Sequence, residues 1–374
     1  MSDPVVVAAE QLRRRVPGGV GRYAQGLLGG LRELGSQPIE LLASRHHGGG
    51  PDPLGRWGFL VRTSVLPAPL LTLAWDRGFA PVRRASLVHS VSLAAPPVRP
   101  LRSRGGAALV VTVHDLAWRC HPEATTARGR HWHEAALRRA LETADAFVVP
   151  SDAVADALVA AGAQRARVRA IAHGVDHLPA ADTAGADALL RRLGATEGYL
   201  LTVATLEPRK NLRRLAVAFE LARPSLPEAW PLLVVGPRGW GDAGLERAGR
   251  AGVVAVGPVD DGVLAALYAG ARAFAYVPLD EGFGLPPLEA MACGAPVVVS
   301  TTVPSTASPA RAGIAEAALR VDPATVEGIA DALVRASSDE LLRASLVTGG
   351  RALVAPLTWR ASAEAHVEWW EHVG

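Results

Sequence analysis

Short apolar runs and amphipathic stretches alternate along the whole chain. Apolar runs with β-branched residues fall at 5–8, 109–113, 146–149, 200–203, 232–235, 253–256, 273–277 and 297–300. Most are continuous rather than alternating and end in Gly, Pro or polar turns, as strands buried on both faces of a parallel sheet do. Helical spacing appears between them, at 21–34, 134–143, 152–161 and 212–222. Strand and helix in alternation make an α/β protein. The pattern restarts once. Residues 176–198 are rich in Ala, Asp, Gly and Thr, and a fresh strand follows from Tyr199. This predicts one domain over 1–177 and a second over 178–356, with a closing amphipathic helix over 357–374. Residues 44–62, rich in Gly, Pro, His and Arg, read as a loop.

A chain of 374 residues is too long for one ordinary core and fits two. Apolar residues make up 49% and charged residues 20%, which excludes a disordered or fibrous chain. Cys120 and Cys293, far apart, form neither a disulfide framework nor a zinc-ligand spacing and suit a reducing compartment. The N-terminus places a short apolar run before its arginines, the reverse of a signal peptide. No apolar stretch reaches the ~18 residues of a membrane span, and the nearest, 65–75, contains Pro67 and Pro69. The expected location is cytoplasmic.

The net charge of +3 is unevenly placed: residues 1–176 hold 22 arginines against 14 acids, and the remainder 17 basic residues against 22 acids. A basic first half suits an anionic partner or a solvated arginine surface. The arginines form no dense stripe, so nucleic acid is not an expected partner. A sharper signal lies elsewhere. The chain has 38 arginines but one lysine, Lys210, and one asparagine, Asn211, directly beside it. Lysine is a compact charge that arginine does not reproduce, and asparagine is a strong helix N-cap.

Four motifs carry candidate chemistry. The PGGVG run at 17–21 lies between a strand and a helix; Gly18 and Gly19 either admit a phosphate or make a tight turn. His114, in VHDL at the carboxyl end of a strand, either contacts a ligand or is a structural histidine bonded to backbone. LEPRKN at 206–211 opens a helix and places Arg209 and Lys210 where the helix dipole and two cations together hold a diphosphate. The longest is EGFGLPPLEAMACGAP at 281–296. There Glu281 and Glu289 bracket a Gly-Phe-Gly turn and a Pro-Pro suited to a first helical turn.

With these motifs the sequence resembles the retaining glycosyltransferases of family 4, mannosyl- and glucosyltransferases with the GT-B fold. The E-x7-E element, LEPRKN and the GGVGRY start carry the resemblance. VTVHDL, VVPSDAVADAL, IAHGVD, VVGPRGWG and the closing LTWRASAEAHVEWW agree with it. The resemblance implies two Rossmann-like domains facing an interdomain cleft, with the closing helix crossing back to the first domain. It implies that Glu289 holds the nucleotide ribose and that Glu281 contacts the donor sugar. Lys210 and Arg209 would hold the donor diphosphate, with Gly18 and Gly19 against it, and His114 would contact the transferred sugar. Backbone N–H groups of Phe283, Gly284 and Leu285 would face the diphosphate and sugar. Two departures stand out. Ala204-Thr205-Leu206 lacks the arginine that many members place before the lysine, leaving Arg209 to supply it. The loop 303–309, VPSTASP, lacks the family's glutamate.

The implied reaction transfers a hexosyl group, with retention, from a nucleoside diphosphate sugar to an acceptor hydroxyl. No cofactor or metal is expected; cations and helix dipoles would stabilise the leaving diphosphate. GDP-mannose is the favoured donor and a UDP-hexose the runner-up. The expected acceptor is a glycan or a lipid-linked sugar. Arg83, Arg84, Arg99, Arg102 and Arg104, near the apolar 65–75 segment, suggest peripheral contact with an anionic membrane. The alternatives are a sugar-nucleotide epimerase of the same fold and a nucleotide-binding module without turnover.

Overall fold

The computed structural model describes residues 3–14, 18–46, 50–80, 82–101, 103–239, 252–307 and 316–374. The chain divides into two compact units, Met1–Gly174 with Thr358–Gly374, and Val175–Leu357.

Among the described residues, the first unit holds a seven-stranded parallel sheet. Its strands are β1 (Val5–Ala8), β2 (Ile39–Ala43), β3 (Leu60–Thr63), β4 (Leu87–Ser90), β5 (Ala108–Thr112), β6 (Ala146–Val149) and β7 (Val168–Ala170). The spatial order is β3-β2-β1-β4-β5-β6-β7. Val5 of β1 lies opposite both Ile39 and Leu87, so the winding reverses direction between β1 and β4. The unit's helices of two turns or more among the described residues, besides the C-terminal one, are α1 (Gly18–Leu34), α2 (Ala68–Asp76), α3 (Ala127–Thr143) and α4 (Asp152–Ala160). Thr126 and Ser151 cap α3 and α4 by accepting from the N–H groups of Gly129 and Val154.

The C-terminal helix, Trp359–Val373, completes this unit against α1. Glycines set the approach. A Cβ on Gly26 would lie 2.0 Å from the Trp359 ring, and one on Gly30 would lie 2.2 Å from the Trp359 carbonyl. Any side chain at either position would push the helix away. Under this contact runs a buried chain of hydrogen bonds. Trp370 Nε1 donates to His89 Nδ1 at 2.9 Å, so His89 Nε2 carries the proton and donates to Thr112 Oγ1 at 2.9 Å. Thr112 Oγ1 meets Tyr23 Oη at 3.0 Å, and Tyr23 donates to His366 Nε2 at 2.8 Å. His366 Nδ1 ends the chain on the Ser362 carbonyl at 2.7 Å. The indole donor at one end and the carbonyl at the other fix the direction of every bond. Burial favours neutral imidazoles. It pushes the His89 pKa well below its ordinary value and that of His366 down to about 4.

The second unit holds a six-stranded parallel sheet among the described residues. Its strands are β8 (Leu200–Val203), β9 (Leu232–Val235), β10 (Val253–Gly257), β11 (Ala273–Tyr276), β12 (Val297–Ser300) and β13 (Leu319–Val321). The order is β10-β9-β8-β11-β12-β13. Leu200 of β8 faces both Leu232 and Ala273, so the switch point lies between β8 and β11. Among the described residues the helices are α5 (Thr183–Leu193), α6 (Leu212–Ala222), α7 (Asp261–Gly270), α8 (Leu285–Ala292), α9 (Val326–Ser338) and α10 (Glu340–Val354).

All eight apolar runs become strands, with ends moved by a residue at most. The sequence reading needs correction elsewhere. Residues 44–62 are not all loop, because β3 begins at Leu60. Its partly exposed Leu-Val-Arg-Thr sits at a sheet edge, where continuous apolarity is not required. The stretch 176–198 contains α5, capped by Asp182 accepting from Gly185 N–H. The 65–75 segment contains most of α2, which buries Leu71 and Trp75. The helix expected from Gly21 starts at Gly18, so Gly18 and Gly19 form its first turn. Pro17, Arg102, Trp240, Gly241, Ser308 and Pro309 lie outside the described residues.

Candidate active site

In an open parallel sheet, ligands bind beyond the carboxyl ends of the strands at the switch point. In the second unit, the segments leaving β8 and β11 carry Arg209, Lys210 and Glu281. The structure brings these three together. Lys210 Nζ donates to Glu281 Oε2 at 2.5 Å and to Tyr276 Oη at 2.9 Å. Tyr276 Oη, at the end of β11, donates to the same Glu281 oxygen at 2.5 Å. Arg209 lies 3.6 Å from Glu281 Oε1 and donates to Glu207 Oε1 at 3.2 Å.

The electrostatics follow from this packing. Burial would raise the Glu281 pKa, but Lys210 and Arg209, with hydrogen bonds from Lys210 and Tyr276, hold it down at about 2. Burial, reinforced by the Glu281 charge, pushes Tyr276 well above its ordinary value. At neutral pH Glu281 is therefore a carboxylate that only accepts hydrogen bonds, and Tyr276 is a phenol that donates one. Glu281 is poorly suited to give a proton and well suited to accept from a hydroxyl.

Asn211 does not cap α6 with its side chain, which corrects the sequence reading. It adopts left-handed backbone at φ 57° and makes no side-chain cap. This is a conformation that asparagine tolerates better than most residues. Its Nδ2 donates to the Val277 carbonyl at 3.0 Å and the Pro323 carbonyl at 2.9 Å. Leu279 N–H in turn donates to the Arg209 carbonyl at 2.9 Å. Asn211 thus ties the Lys210 turn to the segments leaving β11 and β13. A single asparagine beside a single lysine makes sense as a fastener for that lysine's loop.

Beyond Glu281 the chain turns at Gly284, at φ 94°, into α8. A Cβ there would lie 2.4 Å from Val303 Cγ1. Pro286 and Pro287 carry no N–H, so the backbone donors at this helix start come from Leu285 and the residues before it. Ser305 braces the turn: its N–H donates to the Phe283 carbonyl at 3.1 Å and its Oγ to the Gly284 carbonyl at 2.9 Å. Glu289 lies further along α8, buried, and makes its contacts elsewhere. Its Oε1 meets His177 Nε2 and its Oε2 accepts from Tyr268 Oη, both at 2.9 Å.

The remaining sequence candidates belong to the first unit. A Cβ on Gly18 or Gly19 would meet nothing within 4 Å, so backbone there is open on that side. His114 follows β5. Its Nε2 donates to the Val91 carbonyl at 2.8 Å, which leaves Nδ1 as an acceptor, and its ring stands edge-on to Tyr23 at 4.9 Å. Burial lowers its pKa. The histidine bonds to backbone and still keeps one ring nitrogen for other work.

Sequence reasoning missed Tyr276, Tyr268, His177 and Ser305. One signal was available: the chain has only four tyrosines. Two of them donate to the two motif glutamates. Among the described residues, no three His, Cys, Asp or Glu side chains converge as a metal site, and no helix is long and apolar enough to cross a membrane.

Known proteins resemble this chain in both halves. Residues 17–177 match the family model described as Glycosyltransferase Family 4, and residues 197–339 match Glycosyl transferases group 1. The O-antigen chain mannosyltransferase B of Escherichia coli is 33% identical over 260 residues, 67% of this chain and 66% of that protein. The serotype-specific mannosyltransferase WbdA of Escherichia coli is 31% identical over 182 residues, 46% of this chain and 21% of that protein. The chain thus spans just under two thirds of the first relative and about a fifth of the second. Among solved structures, Anabaena HepE in complex with UDP and glucose superimposes with a TM-score of 0.73 at 18% identity, covering 98% of this chain and 99% of that one. Sucrose-phosphate synthase from Thermosynechococcus elongatus gives 0.73 at 22% identity, covering 99% of each.

Proposed function

Because the chain belongs to the family 4, group 1 glycosyltransferases and has their GT-B fold of two parallel Rossmann-like sheets, we propose that it transfers a mannosyl group from GDP-mannose, with retention, to a growing glycan or lipid-linked acceptor. The observation that carries this reading is the cluster of Lys210, Arg209, Tyr276 and Glu281 at the switch point of the second sheet. The reaction breaks the bond between the anomeric carbon and the diphosphate oxygen, which keeps the electron pair; the acceptor oxygen bonds to that carbon, and its proton passes to the leaving phosphate oxygen. Negative charge grows there as the sugar becomes oxocarbenium-like. Lys210 and Arg209 stabilise it without reorganising, as preorganised cations do. The backbone N–H groups of Phe283, Gly284 and Leu285, at the start of α8, add to this. Ionised Glu281 accepts from a hydroxyl of the donor sugar, and Glu289 holds the ribose. In the first unit, the reading assigns Gly18 and Gly19 to the diphosphate and His114 to the transferred sugar.

The mannosyl choice is supported by the relatives' names, and the UDP and glucose held by HepE keep a UDP-hexose as the second donor. A panel of nucleotide sugars, assayed for transfer in EDTA, tests both. GDP-mannose should be consumed only with an acceptor present. Turnover of UDP-glucose alone would overturn the donor, and sugar-nucleotide isomerisation without acceptor would point to an epimerase.

The acceptor reading has its own support. Val65, Leu70, Leu73 and Phe79 are exposed large apolar side chains on and around α2. Arg77, Arg83, Arg84, Arg99 and Arg104 are exposed in the same stretch of chain. Apolar and basic groups together suit an anionic bilayer, at about 1 kcal/mol per basic residue near the surface. The protein should co-sediment with phosphatidylglycerol-containing vesicles at low salt and release at high salt. No binding at low salt would remove the membrane and leave the donor chemistry standing.

A further inference from the structure

Glu289 is buried in α8, and two side chains from elsewhere in the second unit hold its two oxygens. His177 Nε2 lies 2.9 Å from Oε1, and Tyr268 Oη donates to Oε2 at 2.9 Å. Tyr268, in α7, is fully buried, and its ring stands edge-on to Phe274 of β11 at 5.3 Å. Its hydroxyl therefore has a fixed place. His177 comes from the segment that precedes α5, 112 residues before Glu289 in sequence.

We propose that His177 and Tyr268 are positioning residues for nucleotide recognition. They fix the plane of the Glu289 carboxylate so that it reads both hydroxyls of a ribose. The inference rests on the reading of Glu289 as the ribose-binding glutamate. The last torsion of a glutamate is broad and roughly two-fold, so an unheld carboxylate turns freely about it. A donor on each oxygen stops that rotation. An ionised carboxylate has two acceptor directions on each oxygen. His177 takes one on Oε1 and Tyr268 takes one on Oε2. One direction on each oxygen is left, a pair matched to the vicinal 2′ and 3′ hydroxyls of a ribonucleotide. His177 must carry its proton on Nε2 to serve, because a bare nitrogen would repel the carboxylate. A deoxyribonucleotide would leave one of the two aimed acceptor directions of a buried carboxylate unused, which is costly.

The test compares calorimetric affinities for GDP against 2′-deoxy-GDP and for UDP against 2′-deoxy-UDP. The proteins are wild type, Glu289→Gln, Tyr268→Phe, His177→Ala and His177→Gln. Wild type should prefer the ribonucleotide roughly tenfold or more. Tyr268→Phe and His177→Ala should each reduce that preference to about threefold or less, raising the donor KM far more than they lower kcat. His177→Gln, which keeps an N–H donor, should recover most of it. Tyr268→Phe removes one oxygen and keeps the buried ring, so it carries the test if His177→Ala does not fold. If Glu289→Gln loses the preference while Tyr268→Phe and His177→Ala keep it, the positioning role is wrong and the ribose reading stands. If wild type shows no preference, or Glu289→Gln retains it, the ribose reading itself fails.

Discussion

Each unit buries a tyrosine hydroxyl in a polar cluster, and the two clusters solve the same problem in opposite ways. Around Tyr23, every group is neutral. Trp370, His89, Thr112, Tyr23 and His366 pass hydrogen bonds in one direction until the Ser362 carbonyl absorbs the last. Around Tyr276, a carboxylate and two cations are partly buried together. A neutral closed chain gives rigidity at little electrostatic cost, and here it fastens the C-terminal helix. A buried ion cluster is weak evidence for stability, because desolvation offsets much of the attraction. Its place at a sheet switch point, where open parallel sheets bind ligands, fits the donor site proposed above. The comparison separates a neutral polar cluster that holds the fold from a charged one to which the proposed function assigns chemistry.

The largest expected effect is on turnover. Lys210→Ala should reduce kcat by ~100-fold or more, as removal of a preorganised donor to developing charge does, with a far smaller loss of stability because Glu281 keeps Tyr276 and Arg209 as partners. Transfer assays paired with thermal melts check this. A folded variant with near-normal turnover would end the assignment.

The next effect is on acid stability, and it belongs to the first cluster. The folded pKa of His366 is about 4, below its ordinary 6.5. Between those values the unfolded chain binds the extra proton. His366 therefore supports the fold fully above about pH 6.5, and its support is lost as pH falls through 4. The scale is on the order of 3 kcal/mol, with His89 acting in the same direction. Glu281, held at about 2, stays ionised throughout this window. Melting temperatures across pH 4 to 7 should fall steeply for wild type and less steeply for His366→Gln. Parallel curves would contradict the account of the chain.

The smallest effect sharpens the contrast. Tyr23→Phe removes the link between Thr112 and His366 and should cost ~1–3 kcal/mol of stability. Nucleotide affinity should stay near wild type. Loss of affinity without loss of stability would mean that the first cluster is not merely structural.

Much of this was legible in the sequence, and the omissions have physical reasons. Most central strands announce themselves as continuous apolar runs because both faces are covered, whereas Ile39–Ala43 carries Glu40 and is fully buried only at alternate positions. Leu60–Thr63, Val168–Ala170 and Leu319–Val321 are short edge strands with arginine in the middle. Leu87–Ser90 hides a central strand because His89 and Ser90 are polar yet buried and bonded. In the site, Lys210 stood out by its singularity and Glu281 by its motif. Tyr276 and Lys210 are 66 residues apart, and their contact exists only because β8 and β11 are neighbours. Asn211 was noticed for the right reason and given the wrong job. Its neighbour in sequence suggested a cap, while its true partners, Val277 and Pro323, come from other loops.

The central claim is that the charged cluster of the second unit, and not the neutral one of the first, binds the donor. Calorimetric titration of GDP and UDP in EDTA into wild type, Lys210→Ala and Tyr23→Phe tests it most directly. The account predicts metal-independent binding by wild type and Tyr23→Phe with similar affinity, and binding weakened roughly tenfold or more in Lys210→Ala. Equal affinity in wild type and a folded Lys210→Ala, or binding seen only when a divalent metal is added, would contradict it.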